Sequence, residues 1–220
     1  MKKSNLIILL SLFAASLIVG CKDKTTSKMD KKSVPEVVEE SEITEVPDAS
    51  DIYFDAALEY FKEGNNLKCS EEILKGTKSA REEVKEQDGK LSDGMESRLA
   101  ALDDLAGKVK MGKVKNVEEL LSKFYNLEMY DAHDYFELSE VYLLQEPPRK
   151  TASALKNASR RIKAANKYAN EVLKEEITKI LDKTEKLSQK SEQQLKSEAA
   201  SVKKEINEIK EKLKELEAKL

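Results

Sequence analysis

The 220-residue chain holds 39 Lys and Arg against 42 Asp and Glu, with a single His. That acid-leaning balance excludes nucleic acid as a natural partner, because phosphate backbones recruit basic surfaces. Charged residues make up 37% of the chain, Trp is absent, and there are only 7 Gly and 4 Pro. Abundant Lys, Glu, Leu and Ala with so few breakers predicts an all-α fold, an antiparallel helical bundle or helix-hairpin body followed by a long C-terminal coiled-coil helix.

Met1-Lys2-Lys3 is a short basic start, and Leu6 to Gly20 is a 15-residue uncharged run of Leu, Ile, Ala and Val with a few small or aromatic residues. A membrane-spanning helix needs about 20 apolar residues, so this run has signal-peptide length. It ends in Ile18-Val19-Gly20-Cys21, which resembles the lipobox of bacterial lipoproteins. The resemblance implies cleavage after Gly20, a diacylglyceryl group on the Cys21 thiol, and acylation of the new amine. Two or more chains anchor stably where one does not, at about 0.8 kcal/mol per buried CH₂. It also implies a cell-envelope location. Lys22 stands where Asp is associated with inner-membrane retention, so the outer membrane of a diderm is expected, on its periplasmic face. Cys21-Lys22-Asp23-Lys24 also partly resembles the Lys-then-acid surface-export signal of some lipoproteins, with Lys24 interrupting the acidic pair.

The mature chain, having lost Lys2 and Lys3, keeps 37 basic against 42 acidic residues and is near −5. Residues 21–50 read as a lipidated tether, rich in Ser, Thr, Lys and Glu, with Pro35 and Pro47. Five Lys fall by residue 32, and six Glu or Asp follow between Glu36 and Asp48. So polar a segment cannot bury enough surface to order itself. As a coil its ends would lie about 30 Å apart. It is read as a solvated tether, the alternative being a basic half laid on anionic headgroups.

From Asp51 the apolar residues recur with helical period, defining a body over 51–170. Phe54, Ala57, Leu58 and Phe61 form one stripe, closed by Gly64. Ser70 opens a second helix carrying Ile73, Thr77, Ala80 and Val84. Met95, Leu99, Leu102, Ala106 and Val109 mark a third, ending at Gly112. Asn116 with Glu119 reads as a capping box for a fourth, which runs through Leu120, Leu121, Phe124, Leu127, Phe136 and Leu143 to Glu146-Pro147-Pro148. No stretch of the body alternates with period two.

Tyr53, Ala56, Ala57, Tyr60, Gly64, Cys69, Ile73 and Gly76 place aromatic, small and turn residues at intervals that resemble a tetratricopeptide repeat. Tyr135, Leu138, Ser139, Tyr142, Thr151, Leu155 and Ala158 repeat the pattern 82 residues later. The resemblance implies two hairpins whose helices touch at small residues. An antiparallel bundle using the same packing chemistry reads equally well.

No breaker interrupts the pattern from Thr151 to Leu220, and one helix of that length would be a rod of roughly 105 Å. Within the arm, 171–220, there are 12 basic and 12 acidic residues. Leu195, Ala199, Val202, Ile206, Ile209, Leu213, Leu216 and Leu220 are spaced alternately by 4 and 3, a heptad seam. A lone rod would leave that seam in water, so Leu195, Val202, Ile206, Ile209, Leu213 and Leu216 are expected to meet a protein partner or a second copy, the alternative being a charge-stabilised single helix.

Motifs for chemistry are absent from the sequence. His133 could offer a metal two ligands with Glu137, one helical turn on, but Tyr130 breaks a Glu-x-x-His pattern, so no metal or cofactor site is expected and His133 is read as paired with Glu137. With Cys21 lipidated, Cys69 has no disulfide partner within the chain and reads as a small packing residue. The expected function is therefore a membrane-tethered binding or scaffold module without catalytic activity. The alternative is an envelope enzyme or solute-binding module using a pocket in the body.

Overall fold

The computed structural model describes residues 48–86, 92–144 and 149–219. These fold as eight helices with no strand among them, so the all-α expectation holds. In order they are α1 (Ala49–Lys62), α2 (Asn66–Glu86), α3 (Asp93–Lys110), α4 (Glu118–Leu143), α5 (Arg149–Tyr168), α6 (Glu171–Ser188), α7 (Glu192–Ser197) and α8 (Ala199–Glu217). The signal run and the tether as far as residue 47 lie outside the described residues.

Local chemistry sets the ends. Gly64 and Gly112 both take positive φ, 74° and 65°, which lets the chain turn out of α1 and α3 without a Cβ clash. The Ser92 hydroxyl accepts from Met95 N and starts α3. The Asn116 carbonyl oxygen accepts from Glu119 N, half of the expected capping box. Two starts differ from the sequence expectation. The first helix begins at Ala49, ahead of Asp51. The second begins at Asn66, because the Asn65 side chain accepts from Lys68 N and caps the helix four residues before Ser70.

The expected apolar stripes face the core, with Phe61 and Leu121 partly buried and the Val84 side chain outside what is described, and the two tightest partnerships are α1 with α2 and α4 with α5, the segments that share the repeated pattern. Small residues account for the first closeness: a Cβ at Gly76 would lie 2.4 Å from Phe54 Cε1. Phe54 stacks on Phe124 at 4.7 Å, and Phe124 meets Tyr168 edge-on at 5.5 Å, tying α1 and α5 to α4. At 26 residues α4 is about 39 Å long, and it carries α3, α5 and α8 on its sides.

The C-terminal rod is not what the chain builds. The helix breaks at Ala169-Asn170, at Gln189–Ser191 and at Glu198. Asn170 caps α6 by accepting from Leu173 N, and Ser191 with Gln194 forms a full capping box for α7. Each cap satisfies backbone donors that a through-running helix would satisfy internally, so stopping costs little. The arm then turns back: α6 packs on α5, and α8 lies on α4 and α6. Leu195, Val202, Ile206, Ile209, Leu213 and Leu216 join one continuous core with Phe54, Phe124 and Leu155, each at most 2% exposed. The arm is thus not a projecting coiled coil, because its seam is covered by the chain's own helices.

Candidate functional site

Three constellations carry polar chemistry among the described residues. The first surrounds Arg161 on α5. Ala154, Ala158, Arg161, Ala165 and Tyr168 follow the buried 4,3,4,3 spacing, so this guanidinium stands on a core stripe. The answering acids stand on core positions too: Phe124, Glu128, Asp131 and Tyr135 are the matching stripe of α4. Arg161 Nε meets Asp131 Oδ2 at 2.6 Å, Nη1 meets Glu128 Oε2 at 3.2 Å, and Nη2 meets Asp48 Oδ2 at 2.9 Å and Glu83 Oε2 at 3.3 Å. Asp51 Oδ1 is farther, at 3.6 Å, and makes no hydrogen bond. Arg160 pairs with Asp48 from the outer side, and Ser50 donates both its backbone N–H and its hydroxyl to Glu83.

Five carboxylates therefore face two guanidinium groups. Burial pushes Glu128 well above the ordinary carboxylate range, against the pull of Arg161, and it raises Asp131 and Asp51 in the same way. Burial also works against the charge of Arg161, but Asp131 and Glu128 more than offset it. Glu128 Oε1 has no hydrogen-bond partner. The void beside it, lined by Ser50, Glu83, Asp131, Tyr135 and Arg161, is about 10 Å³, room for one water and no ligand. This hub is an internal fastening of α1, α2, α4 and α5.

The second constellation is one turn of α4. His133 Nδ1 lies 3.8 Å from Glu137 Oε1, the pairing expected from their spacing, though too long for a hydrogen bond. The third is a cleft between the antiparallel α6 and α8, about 1250 Å³ in volume. Ile180, Ile209 and Ala200 line its apolar side. Its rim has seven lysines against five acidic residues, a local excess of two positive charges on a chain that is net negative. Lys183, Lys186 and Lys203 form no ion pair among the described residues, whereas Lys219 bonds Glu176 at 2.7 Å and ties the open end of the hairpin.

The remaining sequence candidates fall elsewhere. Gly20 and Cys21 lie outside the described residues. Cys69 is fully buried against α1 and α2 neighbours in the core, and burial pushes its thiol up to about 11. The six seam residues are brought together, but inside the chain. Sequence reasoning missed the Arg161 hub, although charged residues at stripe positions 128, 131 and 161 were its signal. It missed the cleft because the splay of two helices leaves no periodic trace. Compared with family models, curated proteins and solved structures, the chain matches none.

Proposed function

We propose that this chain is a lipid-anchored envelope protein that works by binding and not by catalysis. Cys21, exposed by cleavage after Gly20, carries the acyl chains. Residues 22–47 space the fold from the membrane, and the α6–α8 cleft receives an acidic amphipathic helix of a protein partner. Lys22 next to the lipidated residue favours the outer membrane and its periplasmic face. No helix among the described residues is long and apolar enough to cross a membrane.

The observation that carries the binding role is the cleft. Its α6 wall runs from Glu176 to Lys186, about 16 Å, enough for a partner helix of about three turns. Exposed Ala200 over a floor of buried Ile180 and Ile209, flanked by Lys183, Lys186 and Lys203, which form no ion pair among the described residues, complements a helix with a narrow apolar stripe and acidic flanks. The seam residues are poorer candidates than their heptad spacing suggests, since α4 and α6 cover them.

Two experiments test this reading. Cys21→Ser should leave the precursor uncleaved and unlabelled by radioactive palmitate; persistent labelling would defeat the anchor. A photoreactive residue at Ala200 should give one discrete protein adduct in intact cells, lost on Lys183→Glu, Lys186→Glu and Lys203→Glu together. The same probe at exposed Val172 should give none. Equal adducts from both positions, or none from Ala200, would defeat the cleft as the binding surface.

A further inference from the structure

The α4 turn that bears the chain's single histidine sets three metal-ligating side chains side by side. One ligand atom each from His133, Asp134 and Glu137 lie within 4.8 Å of one another. His133 Nε2 is buried without a hydrogen-bond partner among the described residues, and Nδ1 lies 3.8 Å from Glu137 Oε1, beyond hydrogen-bond range. A buried ring nitrogen without a partner calls for a reason.

The surroundings hold the turn in place. The Ser92 hydroxyl at the start of α3 donates to Asp134 Oδ2 at 3.1 Å. Lys210 stands 3.6 Å from Glu137 Oε1, but it also bonds Glu140 at 3.1 Å, so it can stay with Glu140 while Glu137 turns away.

We propose that His133, Asp134 and Glu137 bind a first-row divalent transition ion, with zinc as the type, and leave one position open to water. The donor set selects the class. Magnesium and calcium call for oxygen shells of six or more, whereas one imidazole with carboxylates suits zinc, cobalt, nickel or copper. Bonds of about 2.0–2.2 Å in a tetrahedral shell set neighbouring donors about 3.3–3.6 Å apart, so side-chain rotation must draw the three ligand atoms, which lie within 4.8 Å of one another, together by up to about 1.5 Å. His133 and Glu137 share one face of α4 at i and i+4, and Asp134 reaches in from beside them. Because Asp134 accepts from the cap of α3 and Lys210 of α8 stands beside the turn, the ion would sit where three helices meet.

The purified full-length chain in detergent, titrated with cobalt(II), should develop visible d–d absorption that saturates at one equivalent with micromolar affinity. Zinc(II) should displace the cobalt and raise the melting temperature. His133→Ala, and independently Asp134→Asn or Glu137→Gln, should each weaken binding at least tenfold. Cys69→Ser should leave it unchanged, which excludes the Cys69 thiolate as a ligand. His133→Gln, close to the native size, serves if His133→Ala fails to fold. No saturable binding in the micromolar range, binding undiminished in the His133 variants, or loss in those variants with both carboxylate variants unaffected would each overturn the site.

Discussion

Arg161 occupies a position at which a helix ordinarily presents Leu or Ala to the core. Its guanidinium is held by Asp131, Glu128, Asp48 and Glu83 within 3.3 Å, so deleting it strands several buried carboxylates at once. Removing one partner of a buried pair costs about 3–5 kcal/mol, and Arg161→Ala should lose that much in urea unfolding at neutral pH. Arg161→Lys keeps the charge without the planar fork and should fall between. The acids carry the opposite lesson. A carboxyl held above its ordinary range contributes stability that is fully present below its unfolded value and lost as pH rises through its folded value. Glu128, Asp131 and Asp51 are all raised, and Asp134 adds its own loss as pH climbs from 3.8 to about 6. Stability should therefore decline from acid to mildly alkaline pH. Glu128→Gln, a permanent imitation of the protonated acid, should raise the urea midpoint near pH 8 and leave it nearly unchanged near pH 4. An equal change at both would mean that Glu128 is ionised throughout.

At the scale of the elements, close approach and capping decide the outcome. Gly76 is needed because the Phe54 ring fills the space a methyl group would take. Gly76→Ala should cost about 1–3 kcal/mol from overpacking, and Phe54→Leu in the same molecule should recover part of the loss. The arm holds by its seam. Val202, Ile206, Ile209, Leu213 and Leu216 each withdraw from water for about 1.5–3 kcal/mol. Ile206→Lys with Ile209→Lys should release α8 from α4 and α6. Native-state hydrogen exchange should then show lost protection over 199–217 with α1 to α5 still protected; simultaneous loss throughout would mean that the first five helices depend on the arm.

Much of the whole molecule was legible in the linear pattern. Stripes such as Met95, Leu99, Leu102, Ala106 and Val109 mark buried faces, and Gly64 and Gly112 mark turns, because helical period and positive φ are properties of single residues and their near neighbours. The breaks in the arm were legible as well: Ser191 and Gln194 are a capping box. The heptad spacing spoke louder, since it runs on through the turn at Glu198 and shifts phase only at Ser191. The hub escaped because charge usually marks the solvent face, and Glu128, Asp131 and Arg161 satisfy one another only after α4 and α5 are side by side. The cleft escaped for a similar reason, being a space between α6 and α8 and not a property of either helix.

The fastening of Asp48 to Arg160 and Arg161 also has a mechanical meaning. Asp48 is the residue through which any pull on the preceding chain enters the described fold, and it meets the guanidinium groups before the first turn of α1 has closed. Tension arriving from a membrane would load charge-assisted contacts first, and only their rupture would expose α1 to peeling from α2. Such contacts are short-ranged, giving way over an ångström or two, so the joint would be stiff and brittle: it would hold without yielding up to a threshold and then release in one step.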